Sequence, residues 1–486
     1  HLLSRRQRQM CIRDRFRLLI CEIMKNLKNI SVLLMVFFAC VSCKEYLDVK
    51  PKGEVIPKTA EEFAALLNSH LSEIDDGYDE AILGNAMEKL ELECFSDNVE
   101  NSLTKNVTGM GAIPKYVGDR LNSFKSEYEK LYALIKNCNL VIHEMEETDT
   151  EMAKACYATA YTLRGVAYYN LMRLFCEPYN KQKAGEQLGL SIVTRFDMEA
   201  RPKRSSLLEI VSLIEEDLKK GISYNSKSEI FRYTVDVAKA YLARLYFWSQ
   251  NWEQAIPVAK EILEAYPLVE GTEYVDMLSA QHAQKGNILL RSYVLSHTSG
   301  DQNYNGAKGY LVVKPVSKSF IDLFVEKERD VRYSFLFNNK REAKKVPLAC
   351  IRSAEMCLIV AESYAYLNQT KEALEYLNLL RSKRISDYTP YVMGNLPAVD
   401  ELALVRVNAE GGAFTPLLWA IHCERRKELF MEGDRWFDLK RNGCPEFWIA
   451  KDGLKYETKQ FMYTAPIPSR DIDLIPGMIQ NEGYVK

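Results

Sequence analysis

Beyond residue 58 the chain is dominated by apolar positions at helical spacing. Thr59 precedes AEEFAALLNSHL, with Glu61 and Glu62 where a first turn would lie, so Thr59 is expected to cap a helix. In residues 153–175, Ala160, Leu163, Ala167, Leu171 and Leu174 fall 3, 4, 4 and 3 apart and make one helical face. Pro178 then marks an end, because the residue before a proline leaves the helical region. Residues 95–120 break the pattern with Ser, Asn, Gly and Pro. Residues 286–318 run NILLRSYVL, HTSGDQNYNGAKG and YLVVKPV, which predicts short strands around a long polar loop.

Two segments share a finer pattern. Residues 239–267 carry Leu242, Ala243, Tyr246, Ala255, Ala259, Ile262 and Pro267, and residues 357–385 carry Val360, Ala361, Tyr364, Ala373, Leu377 and Leu380. Small residues at matched offsets let two antiparallel helices approach closely, as in tetratricopeptide (TPR) hairpins; generic helical hairpins are the alternative. Ala243 and Ala361 lie 118 residues apart, so no regular tandem array is present. The expected class is all-α: TPR-like hairpins with irregular loops and a few short strands. Residues 59–486 are expected to form one binding domain, with an N-terminal part to about 285 and a C-terminal part from about 286.

The front of the chain follows a different logic. From Met24, Lys25 and Lys28 precede an apolar run from Ile30 to Ala39, shorter than the ~20 helical residues a bilayer needs. Ala39, Ser42 and Cys43 follow and resemble the lipobox of bacterial lipoproteins, with Cys40 where Leu is common. Residues 24–42 are therefore expected to be a lipoprotein signal peptide, Cys43 the lipid attachment point and 43–58 a tether. Cys40 is a competing anchor, and an ordinary cleaved signal peptide is the alternative. Residues 1–23 have no place in this scheme; RRQRQMCIRDR resembles translated adapter sequence, so the natural start is expected at Met24.

Charge and cysteines narrow the chemistry. The formal charge of −2 becomes −8 once the +6 of residues 1–42 is set aside, so the body offers no electrostatic reason to bind nucleic acid. Cys94, Cys138, Cys156, Cys176, Cys350, Cys357, Cys423 and Cys444 form no CxxC pair among themselves and mostly sit in helical apolar patterns, so buried thiols are expected. The six histidines, His1, His70, His143, His282, His297 and His422, each stand alone. With no HExxH, no Ser-His-Asp order and no phosphate-binding glycine loop, neither metal, cofactor nor catalysis is expected.

The densest charge cluster is Glu424, Arg425, Arg426, Glu428, Glu432, Asp434, Arg435 and Asp438. Glu424, Glu428 and Glu432 would share one helical face. Paired catalytic carboxylates are one reading. An ion-pair network locking the last helices to the repeats, with Gly433 ending the helix, is the one expected.

IHCERRKELFMEGDRWFDLKRNG (421–443) and YTAPIPSRDIDLIPGMIQNEGY (463–484) resemble the signature of the SusD/RagB family, nutrient-binding lipoproteins of the Bacteroidetes outer membrane. TLRGVAYYNL from Thr162 resembles its first-repeat helix, Glu355 to Arg384 its late repeat, and CKEYLD from Cys43 the start of its mature chain. Glu482 departs from the family's usual Pro. The resemblance implies a surface-exposed lipoprotein that captures an oligosaccharide and passes it to a SusC-like TonB-dependent barrel. A peptide-capturing RagB-like protein and a periplasmic TPR scaffold are the alternatives. Ligand contacts are expected in the irregular stretches, where binding residues concentrate: Asp97, Asn98, Tyr116 and Arg120 in one, Asp301, Asn303, Tyr304 and Tyr310 in the other.

Overall fold

Thr59 opens the first helix, α1 (Ala60–Asp75). Its hydroxyl accepts from the Glu62 N–H, and the Glu62 carboxylate accepts from the Thr59 N–H, a reciprocal cap. Phe63, Leu67, Leu71 and Ile74 follow at helical spacing and are all buried. The computed structural model describes residues 57–104, 113–197, 199–280, 285–292 and 300–485; the leader, Cys43, and the tether through residue 56 lie outside the described residues.

Helices α2 (Ala86–Cys94), α3 (Lys125–Glu144), α4 (Glu151–Phe175), α5 (Leu207–Ser223), α6 (Val235–Trp248), α7 (Trp252–Ala265) and α8 (Gly271–Ser279) follow in order. From α3 to α7 each helix packs on the next. Gly165 lets α4 lie close to α5, because a Cβ there would sit 3.1 Å from Leu218, and Gly221 of α5 does the same against Thr162 of α4. After α9 (Gly300–Leu311) come α10 (Ser353–Tyr366), α11 (Thr370–Ser382), α12 (Pro416–Glu428) and α13 (Asp434–Arg441). Helix α10 packs on α11, on α12 and back on α7. Ala243, Ala255, Ala361 and Ala373 are all 0% exposed, so the two hairpins read from small residues are neighbours in space. The fold is all-α, TPR-like hairpins with irregular connections. Among the described residues, strands form three antiparallel pairs: β1 (Leu188–Ser191) with β2 (Arg204–Ser206), β3 (Ile288–Arg291) with β4 (Cys350–Arg352), and β5 (Phe447–Lys451) with β6 (Leu454–Thr458). The eight cysteines from Cys94 to Cys444 are free thiols, all buried except the half-buried Cys423.

Two sequence expectations change. The polar stretch expected as a loop contains α9, because Ala307, Tyr310 and Leu311, at i, i+3 and i+4, pack on Leu90 and Cys94 of α2. Packing stabilises a helix whose three glycines conceal it. The second change concerns Gly433, which does not end α12. That helix stops at Glu428, and Gly433, at φ 75°, opens α13 in the left-handed region. A Cβ at Gly433 would stand 2.7 Å from Lys89 and 3.0 Å from Leu92 of α2, so side-chain space also demands glycine there.

The acidic face of α12 is a buried ion-pair network. Glu428, 0% exposed, accepts from Arg352 at 2.6 Å, from Arg384 at 2.9 Å through both oxygens and from Arg332 at 3.2 Å. Glu424 accepts from Lys427 at 2.7 Å and from Arg332 and Arg381 at 2.8 Å. Glu432 pairs with Arg352 and Lys345. Arg425 binds Asp434 in fork geometry at 2.8 and 3.0 Å. Burial alone would raise these carboxyls, but Arg384, Arg352 and Arg332 outweigh it and hold Glu428 well below the usual carboxylate range. Lys427, Arg332 and Arg381 do the same for Glu424.

Glu428→Ala is expected to cost roughly 3–5 kcal/mol, since it leaves three arginines facing an uncompensated buried hole; chemical denaturation measures it. A depressed carboxylate stabilises fully above its unfolded pKa of about 4.3, and the contribution is lost as pH falls below that. The gap in melting temperature between the wild type and Glu428→Gln should therefore be widest above about pH 5 and narrow below about pH 4. A gap that stays constant down to pH 3 would show that the charge on Glu428 is not what stabilises the fold.

Candidate ligand-binding site

The structure separates the residues expected to touch ligand. Asp97 accepts from Arg435 at 2.7 and 3.0 Å and lies 3.2 Å from Arg426. Burial opposes its charge, yet those two arginines hold its carboxyl well below the usual range. Asn98, 1% exposed, donates to Glu93 and accepts from Arg426, both at 2.7 Å. Both residues extend the α12–α13 charge network. Arg120 pairs with Glu127 and Glu91 and lies over the Phe124 ring. Tyr116 donates its hydroxyl to the Glu457 carbonyl at 2.7 Å, and its ring centroid is 5.3 Å from that of Tyr456, which ties it to the β5–β6 hairpin. Tyr310 is a core residue of α9, donating to the Ile113 carbonyl at 3.2 Å. The Asp301 side chain lies outside the described residues.

Asn303 and Tyr304 do come together, on the wall of a cavity of about 210 Å³. Helix α9 supplies both, with Lys308 one turn on. Across from them stand Arg291 and Ser292 at the end of β3, the end of α8 from Leu278, and residues 344–349. Asn303 donates to the Gly77 carbonyl at 3.1 Å, which fixes α9 against the end of α1. Tyr304 is half-buried, and that burial raises its phenol pKa, so the hydroxyl stays protonated at neutral pH. Leu278, Phe335, Leu348 and Ala349 make the apolar wall. A ring and apolar surface beside hydroxyl, guanidinium and ammonium donors can hold a neutral ligand with both an apolar face and hydroxyls.

Sequence reasoning missed Phe335 and residues 344–349, and nothing in their pattern marks them; the β3–β4 pairing, the Phe335–Tyr274 ring contact and the contacts of Lys345 and Leu348 with Glu432 and Met431 place them, all set by the fold. A larger cleft of about 1030 Å³ lies between residues 177–187, 408–411, 443–446 and 459–483. Its amides hold its own loops: Gln250 donates to the Tyr179 and Ala409 carbonyls, Asn481 to the Phe175 and Ala465 carbonyls. Tyr179 and Phe461 are the aromatics on its wall. Trp448, on β5, is 57% exposed, whereas the other four tryptophans are buried. Among the described residues no group of three or more His, Cys, Asp or Glu is placed to hold a metal, and no helix is long and apolar enough to cross a membrane.

Comparison with known proteins places the chain. A family model described as "Starch-binding associating with outer membrane" matches residues 45–247, and one described as "SusD family" matches residues 279–484. SusD-like protein P25 of Formosa agariphila is 20% identical over 284 residues, 54% of this chain and 51% of that protein, so the match spans about half of the curated relative. Among solved structures, a SusD superfamily protein of Bacteroides vulgatus has a TM-score of 0.67 at 20% identity, covering 88% of this chain and all of that one. Surface glycan-binding protein A of Bacteroides fluxus has a TM-score of 0.60 at 17% identity, covering 88% and 100%. At these identities the structures establish the fold, and the two sequence matches, which between them take in α1 to α6, the α10–α11 hairpin and the charged signature of α12 and α13, establish that the chain belongs to the SusD/RagB family.

Proposed function

We propose that this protein is a surface-exposed glycan-binding lipoprotein that captures an oligosaccharide and delivers it to a SusC-like TonB-dependent barrel. The observation that carries the reading is the Tyr304 cavity, which sets an aromatic ring and apolar wall beside hydrogen-bond donors within a SusD-family fold. Sugars present apolar CH faces to rings and hydroxyls to polar groups, and this wall offers both. At about 210 Å³ the cavity is below the ~300–1,000 Å³ of sites that enclose a whole drug-sized ligand. It suits one residue or one end of a glycan chain. The mechanism is binding without covalent chemistry.

A second reading is favoured by the 1030 Å³ cleft, whose lining residues are mostly polar, with two aromatics, Tyr179 and Phe461, on a wall far larger than that of the Tyr304 cavity. That composition suits a peptide backbone better than sugar rings, and it supports peptide capture of the RagB type.

Tyr304→Ala should weaken oligosaccharide binding by about 1–3 kcal/mol, roughly 5- to 150-fold, with the melting temperature unchanged. Calorimetry against a glycan first identified on an array reads the loss. Equal affinity in wild type and variant would remove the site from α9, and a wild type that binds peptides but no glycan would transfer the proposal to the larger cleft. For the anchor, Cys43→Ser should abolish labelling by radioactive palmitate and release the protein from membranes. Labelling that persists in Cys43→Ser and is lost in Cys40→Ser would place the lipid on Cys40.

A further inference from the structure

Where α4 and α6 meet α12 and α13, three of four arginines have a carboxylate partner, and the half-buried Arg173 does not. Arg244 pairs with Glu355 at 2.6 Å, Arg425 with Asp434 at 2.8 Å, and Arg441 with Glu362 at 2.6 Å. Arg173, near the end of α4, has no carboxylate within ion-pair distance among the described residues. Its guanidinium instead lies 3.6 Å from the Phe437 ring centroid and 5.6 Å from that of Trp248. All these arginines line one small chamber of about 80 Å³ between α4, α6, α12 and α13.

Three residues of this chamber carry buried N–H groups that have no acceptor in the protein: Arg173 Nε, Arg425 Nη1 and Trp248 Nε1. Arg425 is 4% exposed and Trp248 5%. A buried donor without an acceptor carries its full desolvation cost, so three on one chamber ask for an acceptor there. The three are all donors, and one belongs to a cation that makes no direct ion pair. Five cations line the chamber against four carboxylates, Glu355, Glu432, Asp434 and Asp438, each of which is paired with an arginine other than Arg173. That excess of one positive charge favours a single negative charge over a neutral acceptor, the four carboxylates would repel a multiply charged ion, and the volume admits only a few atoms.

We infer that this chamber binds a small monovalent inorganic anion of chloride size, held by Arg173, Arg425 and Trp248. The ion supplies the charge that Arg173 lacks and joins α4 and α6 to α12, tying the first repeats to the C-terminal signature.

The test uses the whole protein. Melting temperature is measured in sodium chloride and in sodium gluconate at equal ionic strength, since gluconate is too large for the chamber. The wild type should melt at a temperature that rises with chloride and not with gluconate, and crystals grown in bromide should show an anomalous peak between Arg173 and Trp248. Trp248→Phe keeps the ring and removes one donor; it should weaken the apparent chloride affinity roughly tenfold. Arg173→Met should abolish the chloride dependence, and if that variant fails to fold, Trp248→Phe alone carries the comparison. Equal melting in the two salts overturns the inference. So does a chamber that holds water in the bromide crystals, or a bromide peak with no chloride dependence in solution.

Discussion

Glu428 is the residue on which the C-terminal half depends. It brings together three arginines that the chain delivers from separate places: Arg332 from the one-turn helix Val331–Leu336, Arg352 from the end of β4, and Arg384 just beyond α11. Taking a carboxylate and three guanidiniums out of water costs several kcal/mol per ion, and only dense pairing offsets it. The pairing here is dense: Arg352 also donates to the Glu428 carbonyl at 2.7 Å, and Arg384 stacks 4.1 Å from the Tyr274 ring centroid. Removing Glu428 leaves Arg384 with no carboxylate partner among the described residues and takes one of their partners from Arg332 and Arg352. A structural network of this kind constrains sequence as tightly as a catalytic site does, which is why the charged signature of α12 and α13 resembles chemistry.

The network also reaches the cavity beside α9. Lys345 pairs with Glu432, the residue one turn beyond Glu428, and lines the cavity wall opposite Tyr304. Leu348, on the same wall, donates its N–H to the Met431 carbonyl at 2.9 Å. The segment 344–349 has no helix or sheet of its own before β4, so these contacts hold it in place. The facing wall is held differently, through Asn303 on the Gly77 carbonyl and through Ala307, Tyr310 and Leu311 packed on α2. Two independently anchored walls give the cavity a fixed width, and a pre-formed site binds without the entropy cost of ordering loops.

What the sequence made legible follows from the range of each interaction. Helix starts are local: Thr59 caps the helix it precedes, because a cap needs only the next three residues. The repeat hairpins were legible from alanines at matched offsets, although the contact between α7 and α10 that joins them was not. Asp97 and Asn98 were misplaced because a polar residue in an irregular stretch reads the same whether it faces solvent or an arginine more than 300 positions later. Arg426 and Arg435 decide the matter, and only the fold brings them there. Helix α9 was hidden for the same reason. Its stability comes from α2, more than 200 residues earlier.

Aromatic composition was the weakest guide to binding. The chain has 28 tyrosines. Tyr128, Tyr168, Tyr241 and Tyr274 are each no more than 4% exposed, and burial raises the pKa of all four phenols. Rings spent on the core are not available for stacking on a sugar. At the α9 cavity two half-buried rings, Tyr304 and Phe335, line a space of about 210 Å³. Such a site covers little of a long glycan, and most of the ligand's surface stays in water. Affinity scales with what is desolvated and pre-organised, so a site this small holds a chain firmly only when a second surface closes over the exposed length. On the proposed reading, this geometry is a physical reason for glycan capture to need a second surface.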